Sequence, residues 1–260
     1  MNIKQITRVY FSPTENTKTV VRLIAEPLFG HQDSLDLTDA GGRPDYYFME
    51  NEAVVVGVPV YGGRVPATAA ERLKKLHGRK TAAVLVVTYG NRAYEDALLE
   101  LKLIMQRQGF CPMAAAAVPA EHNIVRSIGA GRPDKADRKR LRHFGKELGK
   151  RFWELPSNYR IGDLKVPGNR PFRKFRGVAL KIKVGLSCKN CGVCIRKCPV
   201  QAISRTDPRV TDTQRCITCM RCVKECPSKA RKINTMVMLA VGQKLKKVCS
   251  ERREAEFFIL

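Results

Sequence analysis

Over the first half of the chain, short apolar runs alternate with longer stretches in which apolar positions recur every three to four residues. Residues 6–11 predict a strand, 17–28 a helix and 34–37 a second strand. Residues 52–58 contain AVVVGV, an unbroken apolar run that suits a strand buried on both faces of a parallel sheet. Residues 67–76 predict a helix stopped by Gly78, and 81–87 another buried strand. Within 93–108, Ala97, Leu98, Leu101, Ile104 and Met105 share one helix face, with Gly109 at the C-cap position. Residues 113–118 predict a fifth strand, and 134–153 a basic amphipathic helix. This alternation argues for an α/β fold, a doubly wound five-stranded parallel sheet, with right-handed crossovers imposed by strand twist. In such sheets ligands gather at the carboxyl ends of the strands, where the strand order reverses.

Three loops lie at those ends. They read SPTENT from Ser12, PVYGGRVP from Pro59 and TYGNRAY from Thr88. Each is rich in glycine, hydroxyl, amide or tyrosine side chains. Two readings are open: a shared ligand site, or a helix cap at Thr14 with Tyr61 and Tyr89 as packing residues.

The 260 residues, 44% of them hydrophobic, can build one large domain or two smaller ones. No transmembrane-length apolar run and no signal-peptide core occur, so a cytoplasmic protein is expected. Ten cysteines are many for that compartment, and eight of them fall between Cys188 and Cys226. Clustered cysteines there point to metal or redox chemistry. The net charge is +24, and residues 126–183 hold 18 Lys and Arg against 5 Asp and Glu. Such a field favours acidic partners. The division expected is residues 1–154 as the α/β domain, 155–178 as a basic Pro/Gly linker or arm, 179–235 as a cysteine domain, and 236–260 as a tail. In the tail, a helix followed by the short strand EFFIL is expected to pack on one of the domains.

CKNCGVCIRKCP, from Cys188, is repeated as CITCMRCVKECP, from Cys216, at a spacing of 28. Paired C-x2-C motifs also serve zinc. The doubled C-x2-C-x2-C-x3-C-P run instead resembles a bacterial two-cluster ferredoxin. The resemblance implies two [4Fe–4S] clusters. Cys188, Cys191, Cys194 and Cys226 would hold the first, and Cys216, Cys219, Cys222 and Cys198 the second.

FSPTENT then resembles the phosphate loop of flavodoxin, which implies FMN. Ser12, Thr14, Asn16 and Thr17 would bind its phosphate at a helix N-terminus. Pro59, Val60, Tyr61, Gly62 and Gly63, with Thr88, Tyr89, Gly90 and Asn91, would hold the ring, Tyr61 and Tyr89 by stacking. Glu15 stands where that family carries glycine. A positive φ there would cost about 1–2 kcal/mol, and a carboxylate near the phosphate would repel it, so weakened FMN binding is expected. The whole chain resembles flavodoxin–ferredoxin fusions of anaerobic bacteria and archaea. That implies an electron carrier with an acidic redox partner. The alternatives are a flavin-dependent iron–sulfur reductase of a small organic substrate and a basic nucleic-acid-binding iron–sulfur protein, for which Phe144, Phe152, Trp153, Phe172 and Phe175 would supply aromatics.

Overall fold

The computed structural model describes residues 3–41, 44–154, 164–175, 177 and 180–260. Much of the expected linker, and the side chains of Phe152 and Trp153, lie outside them. The chain runs through β1 (Gln5–Tyr10), α1 (Asn16–Ala25), β2 (His31–Asp36), β3 (Tyr46–Phe48), β4 (Glu52–Pro59), α2 (Ala67–Leu73), β5 (Leu76–Gly78), β6 (Thr81–Tyr89), α3 (Ala97–Arg107), β7 (Phe110–Pro119) and α4 (Lys135–Glu154). The cysteine region follows as β8 (Ile182–Val184), α5 (Val193–Arg196), α6 (Arg221–Lys224) and β9 (Arg231–Ile233). The tail forms α7 (Thr235–Val248) and β10 (Glu256–Ile259).

The main sheet has the order β10-β7-β6-β4-β1-β2. Its five strands from β2 to β7 are parallel, in the flavodoxin-like order with the reversal beside β1. The unbroken apolar runs in β4 and β6 follow from burial on both sides. Val54, Val56 and Leu85 face α2 and α3, while Val55, Val84 and Val86 face α1 and α4. Gly57 lets α1 cross β4 closely: a Cβ there would lie 2.2 Å from Val21 Cγ2 and 2.9 Å from Thr17 Cγ2. That contact fixes the height of the loop before α1.

Three local expectations need correction. The second strand begins earlier, at His31, because it pairs along all of β1. The helix expected over 67–76 ends at Leu73, because Leu76–Gly78 pairs with Tyr46–Phe48 in a small parallel sheet. The helix expected from 93 begins at Ala97, after Glu95 takes a φ of 46°.

The EFFIL strand joins the sheet edge, antiparallel to the alanine run of β7. Its Phe257 stacks on Phe144 of α4 at 4.4 Å between ring centroids, and Arg140 lies 6.0 Å from the same ring. An edge strand left unpaired would template association; β10 covers this one. Phe257→Ala is expected to lower the unfolding free energy by about 2 kcal/mol, less than for a fully buried phenylalanine, as measured by urea denaturation.

Candidate functional site

The cysteine region is built twice. Asn190 and Thr218, Gly192 and Met220, and Gln201 and Lys229 are pairs at the repeat spacing, and all six have φ between 50° and 70°. Five are not glycine, so each accepts left-handed strain of about 1 kcal/mol or more. The same hydrogen bonds recur at the same offset. Ala202 N–H donates to Cys198 Sγ at 3.3 Å, as does Ala230 N–H to Cys226 Sγ at 3.3 Å. Arg196 N–H reaches Gly192 O, as Lys224 N–H reaches Met220 O, and Lys197 N–H reaches Val193 O, as Glu225 N–H reaches Arg221 O. One backbone shape, imposed at both places, wraps the two sets of cysteines.

Cys198, Cys216, Cys219 and Cys222 line a single apolar cavity, closed by Ile182, Ile203, Ile217 and Met220 among others. Burial pushes the Cys219 thiol up to about 12 and the Cys222 thiol up to about 11. A cavity lined by four thiols and otherwise almost wholly apolar, with the Thr211 hydroxyl taken up by Arg231, fits an iron–sulfur cube. Among the described residues, no three His, Cys, Asp or Glu side chains are set to hold one metal ion. Of the other cysteines, Cys194 is buried, Cys188 and Cys226 are half-buried, and Cys191 is exposed.

This region docks on the carboxyl ends of the parallel strands. Arg221, 6% exposed, donates to Asp39 Oδ1 at 2.6 Å and to Lys197 O at 3.1 Å. Arg72 bridges Thr38 O to Pro199 O. Lys224 Nζ donates to Thr14 O at 2.7 Å. Ile217 packs against the core beneath. Tyr61, hydrogen-bonded to Asn123, lies within electrostatic reach of Cys219, and burial pushes its hydroxyl well up.

A cleft opens at that junction. It brings together Thr14, Asn16, Thr17, Pro59, Val60, Tyr61, Thr88, Tyr89 and Gly90, and is also lined by Pro13, Ala120, Glu121 and Asn123. The last three follow β7; the sequence signal for them was the polar stretch AEHN after the fifth strand. Thr17 and Thr88 share a hydroxyl hydrogen bond of 2.7 Å across the cleft floor. Ser12 is buried, and its Oγ accepts from Lys18 N–H at 3.0 Å. Because first-turn amides have no carbonyl within their own helix, those of Asn16 and Thr17 suit an anion.

Several expected ring contacts are used otherwise. Tyr89, 3% exposed, packs on Tyr94 with centroids 5.4 Å apart. Asn91 turns away: its Nδ2 donates to Cys249 O and Glu251 O, and its Oδ1 accepts from Arg253 N–H. It anchors the tail. The Phe175 ring sits on Gly62, and Glu95 and Arg173 sit on Gly63. His122 covers Gly90, and its Nδ1 accepts from the amides of Ile124 and Val125 at 3.1 Å each. Burial lowers its pKa, so the ring is a neutral acceptor in a loop.

Glu15 has a φ of 66°, the conformation that favours glycine. Its carboxylate faces solvent and pairs with Lys18 at 3.0 Å. The departure therefore acts through backbone strain and not through repulsion at the loop.

Residues 187–230 match the family model of the 4Fe-4S dicluster domain. The cysteine region is thus an iron–sulfur domain of ferredoxin type. No curated protein matches this chain. Among solved structures, a flavodoxin from the domain Archaea is 13% identical, covering 56% of this chain and 97% of its own with a TM-score of 0.38. A flavodoxin from Streptococcus pneumoniae TIGR4 is 17% identical over 56% and 99%, with a TM-score of 0.40. A Fusobacterium nucleatum flavodoxin bound to flavin mononucleotide is 16% identical over 57% and 98%, at 0.39. The chain therefore joins a flavodoxin-like domain, by its strand order, to a 4Fe-4S dicluster domain.

Glu15→Gly is expected to stabilise the protein by about 1 kcal/mol, the left-handed strain less the added chain entropy of glycine. Glu15→Gln, which keeps the strain and removes only an exposed charge, is expected to change stability by less than about 0.5 kcal/mol. Thermal unfolding of both variants checks this; equal effects would show that charge, not strain, governs the position.

Proposed function

We propose that this is a cytoplasmic electron-transfer protein relaying electrons between FMN and two [4Fe–4S] clusters, and on to an acidic redox protein. The observation that carries the reading is the docking of the dicluster domain beside the cleft, where Lys224 Nζ reaches Thr14 O and Arg221 reaches Asp39, with Cys219 within electrostatic reach of Tyr61. The cysteines next to the cleft belong to the set Cys216, Cys219, Cys222 and Cys198. The set Cys188, Cys191, Cys194 and Cys226 is the more open to solvent. The order is then cleft, inner cluster, outer cluster, partner. FMN, when bound, exchanges one or two electrons, whereas a [4Fe–4S] cluster exchanges one.

The residues of this chain supply position. The hydroxyls of Thr14 and Thr17, the Asn16 side chain, whose Nδ2 already donates to Glu121 O, and the first-turn amides would hold the phosphate, with Ser12 shaping the loop behind them. Pro59, Val60, Tyr61, Thr88 and Gly90 would flank the ring, and the walls set by Tyr89, Gly62 and Gly63 hold those loops in place. Lys224 brings a cation from the dicluster domain to the phosphate loop. Arg221 and Arg72 keep the two domains in register, so the distance between carriers is fixed and no encounter by diffusion is needed.

The same docking argues against a reductase of a free organic substrate. Tyr61 lines the cleft, and Lys224 from the dicluster domain bonds Thr14 O at its rim. The basic arm is engaged too: Phe172 lies 4.8 Å from the Arg64 guanidinium, Phe175 sits on Gly62, and Phe144 is buried. Phe144 is therefore withheld from nucleic-acid bases, and Phe172 and Phe175 are already engaged by the α/β domain. No described helix is long and apolar enough to cross a membrane.

Anaerobic purification with iron, sulfide and flavin quantified on one sample is expected to give about eight irons and one FMN per chain, since each [4Fe–4S] cluster takes four cysteines. Eight irons with no FMN, and none taken up on addition, would reject the flavin half of the relay.

A further inference from the structure

Arg231 lies between the two cysteine sets. It is 2% exposed. Its Nη1 lies 3.7 Å from Cys194 Sγ, and its positive charge is within electrostatic reach of Cys222. Cys194 belongs to the outer set and Cys222 to the inner one. Its other partners, Pro208 O and Thr211 Oγ1, are neutral, and Nε has no partner. Among the described residues, no carboxylate pairs with it. A buried guanidinium without a counter-charge is costly. Thiolate-ligated clusters on either side are the negative charge that would balance it.

The internal repeat sharpens this. The residue equivalent to Arg231, 28 positions earlier, is Ile203, which is also buried at 4%. The fold accepts an apolar side chain at that place, so nothing in the ferredoxin-type architecture requires an arginine. One repeat carries the cation and the other does not, and the cation stands at the centre.

We infer that Arg231 is a positioning residue that tunes both clusters at once. Its charge, with its hydrogen bond to Cys194 Sγ, stabilises the reduced, more negative state of each, so both clusters are held at higher potential than the cysteine frame alone would set. No bond is made or broken; each cluster gains one electron from its donor, and the guanidinium keeps its protons. The inference rests on the iron–sulfur assignment and not on FMN.

The test is a redox titration of the anaerobically purified full chain, followed by the electron paramagnetic resonance of the reduced clusters, on wild type, Arg231→Ile and Arg231→Lys. Iron content is measured on each sample. Arg231→Ile introduces the side chain the first repeat already uses. Its expected result is full iron content with both potentials lowered, by at least tenfold in the reduction equilibrium, or about 59 mV for a one-electron couple. Arg231→Lys keeps the charge and is expected to retain more than half of that difference. Unchanged potentials in Arg231→Ile with iron intact would overturn the inference. So would equal shifts in both variants, which would mark a packing role. If Arg231→Ile loses iron, the lysine variant decides: full iron with potentials close to wild type supports the tuning role, and any other result overturns it.

Discussion

The structure depends on one buried cation at the junction of two domains. Arg221 leaves the iron–sulfur repeat, reaches Asp39 beyond β2, and ties back to Lys197 O in its own domain. Hydrogen bonds to a charged group contribute about 1.5–3 kcal/mol, and the contacts of Arg72 and Lys224 add to this one across the same junction. Without that clamp the two domains would be carriers on one string. With it, the cysteine cavity faces the strand ends where the parallel sheet offers its ligand cleft.

Strain is placed where the cofactors are expected. The six positive-φ residues of the cysteine repeat curl the backbone around each set of thiols, and Glu15 adopts the same conformation at the loop before α1. Left-handed non-glycine residues persist only when their surroundings over-determine them. In the repeat, the N–H···S hydrogen bonds and the buried cavity do so. At Glu15, the helix start, the Ser12 turn and the Lys18 pair do so.

The sheet was legible because β4 and β6 each carry an unbroken apolar run, Ala53–Val58 and Ala82–Val87, as strands covered on both faces of a parallel sheet do. The cysteine domain was legible because its spacing occurs twice. The small β3–β5 sheet was not, since YYF and LHG are too short to show a period. Tyr89 and Asn91 sat in a loop of the right composition, yet Tyr94 and the tail claim them. Those partners lie up to 162 residues away in the chain, and local pattern carries no trace of them. The same holds for Arg221, Arg72 and Lys224, which read as ordinary surface charge until the domains meet.

Docked domains predict electron transfer within one molecule. Flash reduction of the flavin in the fully loaded protein, followed by the bleaching of cluster absorbance, tests it most directly. The expected rate is first-order and unchanged across a wide range of protein concentration. A rate that rises in proportion to concentration would mean that electrons pass between molecules, and that the docked interface is not the path.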